Sequence, residues 1–209
     1  MPSTQRNYAL CTGLLGWFAV IAQLVILIQI RTTSLTEAII RFFSYFTIQS
    51  NIIVALCFSA YFMRGKWKEF FTRPGTQTAV TVYITVVGAV YNLVLRPIWH
   101  PTGFQIPVDE LLHTVIPLLT LLFWLRFIPK TSLQWGDAFN WALYPLGYTI
   151  FIGVRGAISG FYPYPFINVT ELGYPKVLMN GMVLVLVFVF LFLVLIGVAK
   201  LLSKQKVTS

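Results

Sequence analysis

The sequence predicts an all-α polytopic membrane protein, a bundle of six transmembrane helices with both termini in the cytoplasm. Three observations carry that expectation. Hydrophobic residues make up 57% of the 209 residues and charged residues only 10%, with a mean hydropathy of +0.78, so there is too little charge to coat a soluble domain. Several apolar runs reach roughly 20 residues, the length a helix needs to cross about 30 Å of hydrocarbon. The basic residues gather in the short connections between those runs and divide unequally across the membrane.

The spans fall at about 8–30, 39–63, 77–96, 109–128, 138–158 and 175–200. Arg6 ahead of the first run imitates a secretion signal. The stretch from Tyr8 to Ile30 is too long for a signal core and has no clear small-residue cleavage site, so it reads as a retained helix. The second span carries Thr47, Gln49, Ser50 and Asn51, and the third ends on Asn92 and Arg96, one turn apart. The fourth opens with Asp109, Glu110, His113, Thr114 and Pro117, and the fifth rises to Arg155. No repeat at a solenoid period and no low-complexity linker interrupts the pattern, and residues 1–209 read as one transmembrane domain.

An even number of spans puts both termini on one side. Ten basic residues belong there: Arg6, Arg64, Lys66, Lys68, Arg73, Arg126, Lys130, Lys200, Lys204 and Lys206. Five face the other side: Arg31, Arg41, Arg96, Arg155 and Lys176. The positive-inside rule makes the richer side cytoplasmic. The net charge of +9 therefore speaks of topology, and no nucleic-acid partner is expected. Trp67, Trp124, Trp135 and Trp141 mark the inner boundary, and Trp99, Tyr162, Tyr164 and Tyr174 the outer one, where amphipathic rings settle. The outer loops Pro97–Val108 and Gly160–Pro175 are rich in Pro, Gly and aromatics and read as ordered lids. Asn168-Val169-Thr170 in the second of them is a glycosylation tripeptide, of consequence only in a eukaryotic secretory pathway. Cys11 and Cys57 lie in apolar runs without metal-ligand spacing and read as buried thiols.

The depth of the polar groups is the informative feature. At 1.5 Å per residue a continuous second span puts Thr47 roughly 12 Å below the outer surface, and His113 lies about 7 Å below it in the fourth. Asn92, Arg96 and Arg155 reach the same outer layer from the third and fifth spans. Each has a plain reading. Thr47 can bond back to its own helix, and Gln49, Ser50 and Asn51 can glue helices. Arg96 and Arg155 can snorkel to the boundary, and Asp109 with Glu110 can open a helix, where negative charge suits the dipole. His113 has no packing reason, and an ionisable group inside a membrane span is a functional candidate by default. Pro117, four residues on, removes the hydrogen bond to the His113 carbonyl and leaves a kink and an acceptor.

Two segments carry a resemblance. Phe43-Ser44-Tyr45-Phe46-Thr47-Ile48-Gln49-Ser50-Asn51 and Asp109-Glu110-Leu111-Leu112-His113-Thr114-Val115-Ile116-Pro117 resemble the signature segments of the androgen-induced, androgen-dependent (ADTRP-like) and FAR-17a membrane protein family. Arg96-Pro97-Ile98-Trp99-His100-Pro101-Thr102-Gly103 is similar to the form found in its six-span bacterial relatives. The resemblance implies a threonine hydrolase acting on fatty acid esters of hydroxy fatty acids, with Thr47 and His113 as the catalytic pair. It also implies a bacterial cytoplasmic membrane as the location.

The residues suit that chemistry. A threonine hydroxyl needs a base to take its proton, and a neutral imidazole can do so. Asp109, one turn before His113, can orient the ring, the third role of a triad. Arg96, Asn51, Asn92, Arg155 or backbone N–H groups are candidates for the pocket and for stabilising an oxyanion. A lipid-like ester would enter sideways from the outer leaflet. The alternative is a non-enzymatic lipid- or small-molecule-binding protein or transporter that uses the same polar pocket. A structural protein whose polar groups only glue helices is a third. There is no P-loop, no dinucleotide glycine fingerprint and no metal-ligand cluster, so neither cofactor nor metal is expected. A reporter fused to the C-terminus should read as cytoplasmic; a periplasmic or lumenal read-out would reverse the charge assignment and move the polar layer to the inner leaflet.

Overall fold

The computed structural model describes residues 1–205; Lys206 and the side chain of Lys204, both counted above on the cytoplasmic side, lie outside the described residues. Of the described residues 83% are helical, and none lies in a strand. It divides into two compact units, Met1–Ser132 and Leu133–Ser209.

The first unit begins with α1 (Ser3–Ile30), α2 (Leu35–Ser44) and α3 (Phe46–Ser59), the last continuing through a 3-10 turn over Ala60–Phe62. The short basic helix α4 (Lys66–Thr72) leads into α5 (Pro74–Val90), which ends in a π-helical turn over Tyr91–Leu95. Then come α6 (Gln105–Glu110), a second π turn (Leu111–Val115) and α7 (Ile116–Phe127), stacked end to end as one long stretch.

Helix α1 shows how this unit packs. Its inward stripe is small: Ala9, Thr12, Gly13, Gly16, Ala19 and Val20 are buried. A Cβ at Gly13 would stand 3.2 Å from Cβ of Phe58, and one at Gly16 3.2 Å from Cβ of Ala55. Numbers that rise on α1 fall on α3, so the two run antiparallel with backbones in close approach, the usual packing where lipid removes the hydrophobic drive. The Trp17 indole donates to the Ser59 hydroxyl at 3.0 Å along the same seam. The outward face is apolar: Leu10, Leu14, Phe18, Ile21 and Val25 are all exposed, at spacings of three and four. Small inside and large apolar outside is the pattern of a helix whose solvent is lipid.

Elsewhere the polar groups are absorbed locally. On α5, Thr78, Thr81 and Thr85 each donate to the carbonyl four residues earlier at 2.7 Å. Trp124 of α7 donates to the Thr78 hydroxyl at 2.8 Å, tying α7 to α5. Tyr8 of α1 donates to the Leu119 carbonyl at 2.8 Å, beside a knot of rings formed by Phe58, Tyr61 and Phe123.

The second unit pairs α8 (Asp137–Ser159) with α9 (Val169–Gln205), joined by a 3-10 turn over Pro165–Ile167. Trp141 packs on Phe192 with ring centroids 5.6 Å apart. Gly156 accommodates the Tyr162 ring where a Cβ would stand 2.0 Å from it, so the loop after α8 folds back onto its own helix. Helix α9 breaks at Gly173, whose φ of 73° and ψ of 160° only glycine adopts readily, and Pro175 starts its long apolar run.

Four stretches are long and apolar enough to cross a membrane: Ser3–Ile30, Pro74–Leu95, Gln105–Phe127 and Val169–Ser203. A fifth is the pair α2 and α3 with its 3-10 turn, if the two count as one span. This is the helical pattern of a multi-pass membrane protein. Two differences from the sequence expectation follow. Helix α8, expected as the fifth span, has 23 residues and is not among those stretches. The continuous helix expected over 39–63 is two helices bent by 73° at Tyr45. Ser44 bonds back to the Ile40 carbonyl at 2.7 Å, a habit that bends helices, and the Gln49 amide takes the Phe43 carbonyl at 2.8 Å.

Gly16→Leu should lower the thermal midpoint of the purified protein, an overpacking cost of about 1–3 kcal/mol. Gly147→Leu, where a Cβ meets nothing within 4 Å, should not. Equal midpoints for the two variants would contradict the close α1–α3 contact.

Candidate functional site

The fourth span is built around a defect. Pro117 has no N–H, and the chain responds with the π turn over Leu111–Val115, in which the Ile116 N–H reaches back five residues to the Leu111 carbonyl. The Leu112 carbonyl thereby loses its ordinary donor, Ile116, and the one that a π pattern would offer is Pro117. The His113 carbonyl loses Pro117 directly. Two consecutive carbonyls inside a membrane helix must then find donors elsewhere.

Two asparagines from neighbouring helices provide them. Asn51 of α3, fully buried, donates from Nδ2 to the Leu112 carbonyl at 3.2 Å and to its own helix's Thr47 carbonyl at 2.9 Å. Asn92, in the π turn that ends the third span, donates from Nδ2 to the Gly88 carbonyl at 2.8 Å and to the His113 carbonyl at 3.3 Å. Gly88 permits the approach, since a Cβ there would stand 3.1 Å from the His113 carbonyl oxygen and 3.1 Å from Cβ of Pro117.

The imidazole is held on two sides. Its Nδ1 lies 2.9 Å from the Asp109 carbonyl oxygen and 3.4 Å from Asp109 Oδ1. Its face stacks on the Tyr91 ring, with centroids 4.0 Å apart and planes 16° from parallel. The Tyr91 hydroxyl donates to Asp109 Oδ2, which closes a loop of three side chains. All three are well enclosed: Tyr91 is 4% exposed, Asp109 5%, and the His113 side chain 13%.

Outside this loop, Arg96 pairs with Glu110, Nη2 standing 2.6 Å from Oε1 and 2.8 Å from Oε2, and it also donates to the Thr114 hydroxyl at 3.2 Å. Its guanidinium carbon lies 5.2 Å from the Tyr91 ring centroid. In an ordinary α-helix residues five apart diverge; the π turn over Tyr91–Leu95 brings Arg96 back above Tyr91, its N–H bonding the Tyr91 carbonyl at 2.8 Å.

Thr47 sits in the first turn of α3, immediately after the bend at Tyr45, and is buried. A helix N-terminus presents backbone N–H groups and the positive end of the dipole, so this is a position that favours developing negative charge. Its relation to the fourth span is set by Asn51, one nitrogen of which lies between the Thr47 and Leu112 carbonyls.

Thr47, Asn51, Asn92, Arg96, Asp109 and His113 all belong to the first unit. Arg155 belongs to the second, where it donates to the Ser159 hydroxyl at 3.2 Å and lies 4.8 Å from the Phe161 ring centroid. The Asn51 amide hydrogens go to two carbonyls, so its structural contribution is to join helices, and the Arg96 charge is matched by Glu110. Sequence reasoning missed Tyr91, Gly88 and the partner role of Glu110. The only signal for Tyr91 was a hydroxyl-bearing ring beside Asn92, and its alignment with Arg96 depends on a π turn that periodicity does not announce.

No group of three or more metal-ligating side chains occurs among the described residues. Comparison with protein-family models, with curated proteins and with solved structures finds no match. Asn51→Leu should destabilise the protein by about 1–2 kcal/mol, because two carbonyls lose a donor in a dry interior. Thermal denaturation measures it, and an unchanged midpoint would mean that the asparagine bridge carries no weight.

Proposed function

We propose that the protein is an intramembrane lipid-ester hydrolase that works through a Thr47–His113 centre, acting on fatty acyl esters of the kind formed by hydroxy fatty acids. The observation that carries this reading is the Asn51 bridge. It sets the first turn of α3, with Thr47, beside the π turn that holds His113. The His113 ring is pinned by Asp109 and Tyr91 in the manner of an oriented base.

The chemistry runs in two halves. His113 takes the Thr47 hydroxyl proton as Oγ attacks the ester carbonyl, and the α3 N-terminus favours the negative charge that develops. The proton passes to the departing alcohol. Water, deprotonated by the same imidazole, then attacks the acyl-threonine and releases the fatty acid, returning both residues to their starting forms.

In this reading α8 is the fifth of six crossings, both termini are cytoplasmic, and the host membrane is a bacterial cytoplasmic membrane. The bend at Tyr45 supports lateral entry. Helix α2 exposes Leu35, Ile39, Ile40 and Phe43 while carrying the Glu37–Arg41 ion pair at 2.7 Å, a composition suited to the headgroup boundary beside Thr47.

Thr47→Ala and His113→Ala should each abolish ester hydrolysis and fluorophosphonate labelling in protein that still inserts and folds. Thr47→Ser should retain part of the activity. The double variant should be scarcely worse than either single one, since members of one catalytic unit are not additive. Wild-type rates in both single variants would transfer the pocket to lipid binding or transport.

A further inference from the structure

We propose that Tyr91 is the positioning residue of this site: with Asp109 it holds His113 in the Nδ1–H form, so that Nε2 is the ring nitrogen that takes the proton. The activity arm of this inference rests on the hydrolase reading; the tautomer itself does not.

The proton on Nδ1 follows from its neighbours. A backbone carbonyl can only accept, and that of Asp109 lies 2.9 Å away. The other close atom, Asp109 Oδ1 at 3.4 Å, is an acceptor as well. A neutral ring with its proton on Nε2 would turn the Nδ1 lone pair toward two oxygens, so the neutral ring carries hydrogen on Nδ1. Nε2 then keeps the lone pair. When it gains the threonine proton, the ring becomes an imidazolium whose Nδ1–H already faces the carboxylate, which is where an opposite charge is most useful.

Tyr91 makes this arrangement rigid in two ways. Its hydroxyl occupies Asp109 Oδ2, so that the carboxylate is engaged at one oxygen and presents the other to His113. Its ring lies flat on the imidazole at 4.0 Å, which closes the space through which the ring would turn over and carry Nδ1 away from the Asp109 oxygens. Tyr91 is itself fixed. It opens a π turn, is buried, and carries the Arg96 guanidinium near its ring. π turns in two facing helices, at Tyr91–Leu95 and Leu111–Val115, bring the three side chains together, and such turns recur at functional sites.

The chain has two histidines, so a His100→Gln background leaves His113 as the single imidazole signal. In nanodiscs, nitrogen-15 spectra of histidine-labelled protein should show neutral His113 protonated at Nδ1. Tyr91→Phe keeps the stacked ring and removes only the hydroxyl. It should shift the population toward the Nε2–H form that an unconstrained histidine side chain favours and speed exchange of the Nδ1 proton. Toward a fatty acyl ester it should lower kcat by about 10- to 100-fold with KM nearly unchanged. Tyr91→Leu, which loses the stack as well, should be worse on both measures. An Nε2–H ring in the wild type, or wild-type spectra and kcat in Tyr91→Phe, would overturn the proposal. If the wild type hydrolyses no ester, the hydrolase reading fails while the spectra still decide the role of Tyr91.

Discussion

Two carbonyl oxygens organise the first unit of this molecule. Pro117 removes a donor, the helix accommodates by widening into a π turn, and Leu112 and His113 are left with acceptors that their own helix cannot satisfy. In water such a defect would be trivial, because solvent would donate. Inside a membrane each unpaired carbonyl costs several kcal/mol, so neighbouring helices must supply amides. Asn51 does so from α3 and Asn92 from the π turn after α5, and those bonds tie both elements to the helix that carries His113.

The same defect sets the chemistry. Widening the helix at Leu111–Val115 turns His113 so that Nδ1 meets the Asp109 carbonyl while the ring meets Tyr91. The matching π turn at Tyr91–Leu95 puts Asn92 within reach of the His113 carbonyl and Arg96 above the Tyr91 ring. Charged groups have partners where they occur: Glu110 faces Arg96, and Asp109 faces the imidazole and a phenol. A buried carboxylate without such partners would be too costly to retain in hydrocarbon.

Packing elsewhere is built to hold this arrangement still. The small stripe on α1 lets α3 approach to backbone contact, and Gly88 does the same for the third and fourth spans. Between them, Trp124 on Thr78 and Tyr8 on Leu119 tie the helices of the first unit with hydrogen bonds that do not depend on water. The bend at Tyr45 is the exception to this economy. It breaks a span, at the cost of a carbonyl that Gln49 must satisfy, and it leaves Thr47 at the start of a helix, where backbone N–H groups gather.

The all-helical class, the membrane character and the positions of the long apolar stretches were legible in the sequence, because they depend on composition and run length alone. So was the singling out of Thr47, Asn51, Asn92, Arg96, Asp109 and His113, since polar groups in hydrocarbon are costly wherever they fall. Even the consequence of Pro117, an unpaired carbonyl on His113, could be read from a missing N–H four residues away. What the sequence could not decide was who answers it. Asn51 and Asn92 lie 61 and 21 residues from the carbonyls they serve, and Tyr91 lies 18 from the carboxylate it holds. Local periodicity carries no information about such partners. Nor does an α-helical period of 3.6 foresee two π turns or a 73° bend at Tyr45, which are departures from that period. The tertiary structure made those choices, because a buried carbonyl takes its donor from whichever helix packs against it.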